Sequence, residues 1–106
     1  MEITLKELIE VNSRLGGSLR SDSSLDFAES RTRGCNSAYR CASIWARAII
    51  VGHPFTDANK RTALYAIAKY VKIKDQKRMA MTITRIASQS TDDLNKIVEM
   101  LKNANR

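Results

Sequence analysis

The sequence predicts an all-α protein, a compact bundle of about five or six helices with a short flap or loop near residues 16–24. Three observations lead to that class. Apolar residues recur at helical spacing in successive segments of the chain. Helix formers (Ala, Leu, Ile, Lys, Arg, Met) dominate, while the 106 residues hold one Pro and only 6% aromatics, a poor composition for a long series of strands and turns. Capping and breaking residues fall at the ends of the periodic segments. The length suits one domain, residues 1–106, with a modest core and no internal repeat or linker.

The first helix starts at Thr4-Leu5-Lys6-Glu7, a capping-box pattern in which Thr4 caps and Glu7 reaches back. Leu5, Leu8 and Ile9 follow with helical spacing, and Gly16-Gly17 ends the segment near Leu15. Residues 16–34 change character to Gly, Ser and Arg. They read as a loop with a short extended flap, then a short helix marked by Leu25, Phe27 and Ala28 that ends by Gly34.

From Asn36 to Val51 the pattern is strongly helical. Ala38, Ala42, Trp45 and Ile49 form one stripe, with Tyr39, Ala46 and Ile50 beside it. A stripe that wide predicts a largely buried helix, terminated by Gly52. The next helix is expected from Thr56 or Asp57 to about Val71, with Ala63, Leu64, Ile67, Ala68 and Val71 on its apolar face. Met79, Ile83, Ile86 and Ala87 mark a further helix. Thr91-Asp92-Asp93 then places acidic residues at the positive end of the last one, whose face is Leu94, Ile97, Val98 and Leu101.

The net charge is +7 and the pI about 9.8. Such a balance suits an anionic partner (nucleic acid, a nucleotide or an acidic protein) or simply a solvated basic surface. Cys35 and Cys41 have no neighbouring His or Cys that completes a metal pattern. On one helix they would point in different directions, so free thiols are expected. Free thiols, with no targeting segment or bilayer-spanning apolar run, give the expectation of a cytoplasmic protein without membrane contact.

Residues 52–62 do not look like a plain bundle. A buried helix ends at Gly52 and another begins about one turn later. His53, Pro54 and Phe55 lie between them, and Asp57, Asn59, Lys60 and Arg61 sit at the new start. A helix N-terminus offers unpaired N–H groups and a positive dipole end to an anion. Asn59, Lys60 and Arg61 add donors and charge there. Asp57 is a hard oxygen ligand suited to a magnesium ion that bridges phosphates. His53, the sole histidine, is a candidate general base. Phe55 is expected to plug into the core and fix the loop. Each residue also has a purely structural use: Asp57 as a helix cap, Lys60 and Arg61 as solvated charges, His53 as a surface residue, Pro54 and Phe55 as packing.

The string His53-Pro54-Phe55-Thr56-Asp57-Ala58-Asn59-Lys60-Arg61-Thr62 resembles the active-site motif of the Fic/Doc family, His-x-Phe-x-Asp/Glu-Gly/Ala-Asn-Gly/Lys-Arg. The flanking Trp45-Ala46-Arg47-Ala48-Ile49-Ile50 and Ala63-Leu64-Tyr65-Ala66 look like that family's central helix pair. Gly16-Gly17 with Leu19-Arg20-Ser21-Asp22 is similar to the region before its target-docking flap. The likeness in pattern extends over residues 2–102, but only the motif is specific.

The resemblance implies a Fic-like fold and transfer of part of ATP to a protein hydroxyl. It implies that His53 deprotonates the target hydroxyl, that Asp57 holds Mg2+, and that Ala58, Asn59, Lys60 and Arg61 bind the phosphates. Phe55 would anchor the motif, and Ser18, Leu19 and Arg20 would form the flap that docks the target. Lys60 stands where AMP-transferring members usually have Gly, and Leu64 where they often have a second Arg. Both features resemble the death-on-curing toxin branch. That branch implies phosphate transfer to a Ser or Thr of a target protein such as a translation factor. The family's self-inhibitory Ser/Thr-x-x-x-Glu-Gly/Asn motif is missing from this chain, so restraint would come from an antitoxin-type partner. Adenylylation by the same site is the alternative. A non-catalytic, basic nucleic-acid-binding or antitoxin-binding protein is the third reading.

Overall fold

The computed structural model describes residues 3–106. Met1 and Glu2, part of the single-domain reading, and Glu2, part of the family-like pattern, lie outside the described residues. Six helices follow one another: α1 (Leu5–Arg14), α2 (Ser23–Thr32), α3 (Ala38–Ile50), α4 (Asn59–Tyr70), α5 (Gln76–Ser88) and α6 (Leu94–Ala104). The described residues form no strand, only an isolated antiparallel bridge between Leu19 and Phe55. The expected all-α bundle is therefore what the chain forms.

Local chemistry explains most of the boundaries. Thr4, Ser37, Asp75 and Asp93 each accept a first-turn backbone N–H, so α1, α3, α5 and α6 begin on side-chain caps. Helix α3 is the central element. Nine of its thirteen residues are buried, and it packs against α2, α4, α5 and α6, most extensively against α4. Trp45 is fully buried, and its Nε1 donates to the Tyr70 hydroxyl at 3.2 Å, which satisfies the one polar group of an otherwise apolar anchor. In α2, Leu25 and Ala28 are buried as their spacing predicts. Phe27 lies on the other side, 53% exposed, under the Arg31 guanidinium at 5.4 Å.

Two expectations need correction. The cysteines are not free thiols: Cys35 and Cys41 form a disulfide with their Cα atoms 6.1 Å apart. The geometric objection fails because only Cys41 is on α3, while Cys35 precedes its cap Ser37 and is free to fold back. With the thiols gone, the reducing-compartment reading loses its support. What stands is that no helix among the described residues is long and apolar enough to cross a membrane. The second correction concerns α4, which begins at Asn59 and not at Thr56 or Asp57. Ala58 adopts a left-handed backbone (φ 61°), which no α-helix can continue through.

Candidate functional site

The turn between α3 and α4 is built on one close backbone approach and two left-handed residues. A Cβ on Gly52 would fall 2.2 Å from the Ala48 carbonyl oxygen, so only glycine lets the chain leave α3 there. His53 then takes a left-handed backbone (φ 52°), as Ala58 does five residues later. Two non-glycine residues in that region within one short loop cost about 1–2 kcal/mol each, a strain that concentrates at functional sites.

The loop survives this strain because it is bonded on three sides. Phe55 is fully buried and anchors it in the core, as the sequence predicts. The flap residues run alongside: Thr56 N–H donates to the Ser18 carbonyl at 2.9 Å, and Arg20 N–H to the Pro54 carbonyl at 2.7 Å. Arg20 Nη2 also donates to the His53 carbonyl at 3.3 Å, and Ser18 N–H to Thr56 Oγ1 at 3.1 Å. Leu19 sits opposite Phe55 in the bridge and is 38% exposed. The predicted flap thus exists as a short extended segment paired to the motif.

Beneath the loop, Asn59 closes the arrangement. Its Oδ1 accepts the Phe55 N–H at 3.2 Å, and its Nδ2 donates to the Phe55 carbonyl at 2.9 Å. These two bonds set which way the amide points. The same Nδ2 lies 3.3 Å from His53 Nδ1. A donor facing Nδ1 favours the neutral tautomer that carries its proton on Nε2. Asn59 is 6% exposed, so its side chain is a positioning group for His53 and the loop. This revises its expected role as a phosphate donor, because both of its polar atoms are already bonded inside the protein.

His53, Thr56, Asp57, Ala58, Asn59, Lys60 and Arg61 line one cavity of about 380 Å³ at the start of α4. The structure therefore brings His53, Asp57, Ala58, Asn59, Lys60 and Arg61 of the motif to one cavity, while Pro54, Phe55 and Thr62 do not line it. Asp57 Oδ1 accepts the Ala58 N–H at 2.7 Å and makes no cap on the α4 turn; Ala58, the cap residue, has no side-chain bond to offer either. The purely structural reading of Asp57 as helix cap is thus not what is observed. Lys60 and Arg61 are exposed, and Arg61 Nη2 reaches the Leu15 carbonyl at the end of α1 at 3.2 Å. Among the described residues no group of three or more His, Cys, Asp or Glu side chains is placed to hold a metal ion by itself. Asp57 is the one acidic residue among those that line the cavity.

One residue of this site is missing from the sequence-based assignment. Asn12 is completely buried in α1, and its Nδ2 donates to the Asp57 carbonyl at 2.8 Å and to Thr62 Oγ1 at 3.1 Å. Thr62 in turn donates its hydroxyl to the Ala58 carbonyl at 2.8 Å. Both left-handed Ala58 and the acidic Asp57 are held from below by this chain of bonds. A signal was present: Asn12 continues the apolar stripe Leu5, Leu8 and Ile9, and an amide on a core face needs partners.

No family model matches the chain, and neither a curated protein nor a solved structure does.

Proposed function

We propose that the chain is a Fic/Doc-like, toxin-type transferase that moves the terminal phosphoryl group of ATP to a Ser or Thr hydroxyl of a target protein. The observation that carries this reading is the convergence of His53, Asp57, Lys60 and Arg61 on one cavity at a helix start that lacks a side-chain cap. First-turn N–H groups, an ammonium and a guanidinium favour bound phosphates there. In the reaction the bond between the β,γ-bridging oxygen and the γ-phosphorus breaks, ADP leaves, and the hydroxyl oxygen bonds to phosphorus. The hydroxyl proton passes to a base, for which His53 is the candidate. A magnesium ion bound with ATP would supply charge neutralisation on the phosphates, with Asp57 as its ligand.

The histidine geometry adds a condition. With Asn59 Nδ2 facing Nδ1, the resting ring keeps a proton on Nε2 and is a donor at that atom. To accept a proton at Nε2, His53 has to exchange the 3.3 Å contact for a partner that accepts from Nδ1. The length of that contact makes it a weak hydrogen bond, so ring rotation on substrate binding is inexpensive. Lys60, where a glycine would leave room, favours phosphate transfer over AMP transfer. The pairing of Ser18–Arg20 with the motif loop supports reading that segment as the edge on which a target chain docks. Restraint would come from an antitoxin-type protein, and the target class would be a translation factor.

Incubation of purified protein with a cell lysate and ATP labelled at either the α or the γ position tests the reading. Label from the γ position alone, lost in His53→Ala, is the expected result. Label from the α position would replace phosphorylation with adenylylation. Growth arrest on expression that persists in His53→Ala would sink the enzymatic reading altogether.

A further inference from the structure

The positive charge is unevenly placed. Residues 69–106 hold nine of the eighteen Lys and Arg but only four of the eleven acidic residues. Helix α5 contains Lys77, Arg78 and Arg85 and no Asp or Glu. Neither of the ion pairs Arg33–Glu29 and Lys69–Glu7 involves a residue of α5. Lys77, Ala80, Met81, Thr84, Arg85 and Ser88 line a shallow groove of about 430 Å³ along the outer side of α5.

The N-terminal corner of α5 is held rigidly. Arg78 donates to the Asn103 and Arg106 carbonyls, both at 2.9 Å, tying α5 to the end of α6. Asn105 accepts the Lys74 N–H and donates to the Lys72 carbonyl, both at 2.8 Å. Lys72 and Lys74 are therefore fastened beside the same corner, and both are exposed. Lys77 and Arg85 are eight positions apart on α5, which separates them by about 12 Å along its axis, close to the width of a duplex major groove.

The composition of this face decides the class of partner. Met81 is its single exposed large apolar residue, 64% exposed. A protein–protein interface core is apolar and depleted in charge, whereas nucleic-acid interfaces are polar, wet and cationic. A second copy of the chain would set cation against cation. We propose that the outer face of α5, together with Lys72 and Lys74, binds the phosphate backbone of duplex nucleic acid independently of sequence and apart from the cavity at α4. Small Ala80, Thr84 and Ser88 let the helix approach the duplex closely, and the exposed Thr84 hydroxyl can donate to a phosphate oxygen.

Anisotropy of a fluorescein-labelled 20-base-pair DNA duplex, titrated with the intact protein between 50 and 200 mM NaCl, tests the proposal. Four phosphate contacts predict a slope of log K against log salt of about −3.6. The double charge reversal Lys77→Glu/Arg85→Glu, both exposed and so compatible with an intact fold by circular dichroism, is expected to lower affinity at least tenfold and flatten the slope by about 2. His53→Ala is expected to bind the duplex like the parent, so failure here is distinguishable from failure of the transferase reading. The proposal is overturned by absence of binding at 50 mM salt, by binding that the double reversal leaves unchanged, or by poly-glutamate competing as well as unlabelled duplex. The last outcome would mark the face as a site for acidic protein.

Discussion

Asn12 and Asp57 are 45 residues apart in sequence and joined by one hydrogen bond, from Asn12 Nδ2 to the Asp57 carbonyl at 2.8 Å. That bond fixes the height of the motif loop above α1. Asn12 Oδ1 itself is buried without a partner, and a Cβ on Gly17 would fall 2.3 Å from it and 2.5 Å from the Asp57 carbonyl oxygen. The end of α1 and the motif loop are thus in contact through backbone, with no room for a side chain between them.

Asn12→Ala should remove both donated bonds and leave the Asp57 carbonyl short of a partner. The expected loss is about 1–3 kcal/mol in urea unfolding, with an unchanged m-value. Gly17→Ala should cost at least as much, because the obstructing atoms are a buried amide and backbone. A Gly17→Ala protein as stable as the parent would show that α1 and the loop can part.

The His53–Asn59 contact predicts a tautomer. In 15N NMR spectra at pH 8, the parent imidazole should show its proton on Nε2. Asn59→Asp puts an acceptor opposite Nδ1 and should move the proton to that nitrogen. The same spectra in the parent with the proton already on Nδ1 would refute the assigned orientation of the amide. Asn59→Asp also removes the donor to the Phe55 carbonyl, so a loss of about 1 kcal/mol in stability is expected alongside.

Ala58 is held left-handed at φ 61°. Replacing it with Gly removes the clash of Cβ with the backbone but adds chain entropy to the unfolded state. The net expectation is a gain of about 0.5–1 kcal/mol and a melting temperature higher by several degrees. A destabilised Ala58→Gly protein would mean that the buried methyl group contributes more packing than its backbone strain costs.

The Glu7–Tyr65–Lys69 cluster ties α1 to α4 and predicts a pH dependence at both ends. Tyr65 donates its hydroxyl to Glu7, and Lys69 lies 3.1 Å from the same carboxylate. The Tyr65 hydrogen bond, followed by Lys69, holds the Glu7 carboxyl below its ordinary 4.5. Its contribution is therefore full above about pH 4.5 and falls away as the pH drops further. The Glu7 carboxylate raises the Tyr65 hydroxyl above its ordinary 10.0, so that contribution is full below pH 10 and lost above it. Tyr65→Phe should flatten the alkaline limb of a stability–pH curve and shrink the acid one. Unchanged limbs in that variant would place the dependence elsewhere.

Sequence patterning alone determined the helix content, the approximate span of each helix and the ten-residue motif. Those features are local: cap residues such as Thr4 and Asp93, breakers such as Gly16 and Gly52, and apolar stripes such as that of α3 act within a turn or two of themselves. The cavity at the start of α4 was legible for the same reason, since its lining is contiguous in the chain.

What the tertiary structure decided lies where distant or non-helical backbone meets. The start of α4 moved to Asn59 because Ala58 is forced left-handed by bonds from Thr62 and Asp57, and no residue-type preference announces that. The Asn59 side chain turned out to hold His53 and Phe55 because the loop folds over it. Asn12 joined the site only through packing of α1 beneath the loop, and Cys35 met Cys41 only because the chain before α3 folds back. Local periodicity carries no information about which buried polar atoms will face one another, since those pairs are chosen by how helices stack and not by the order of residues along any one of them.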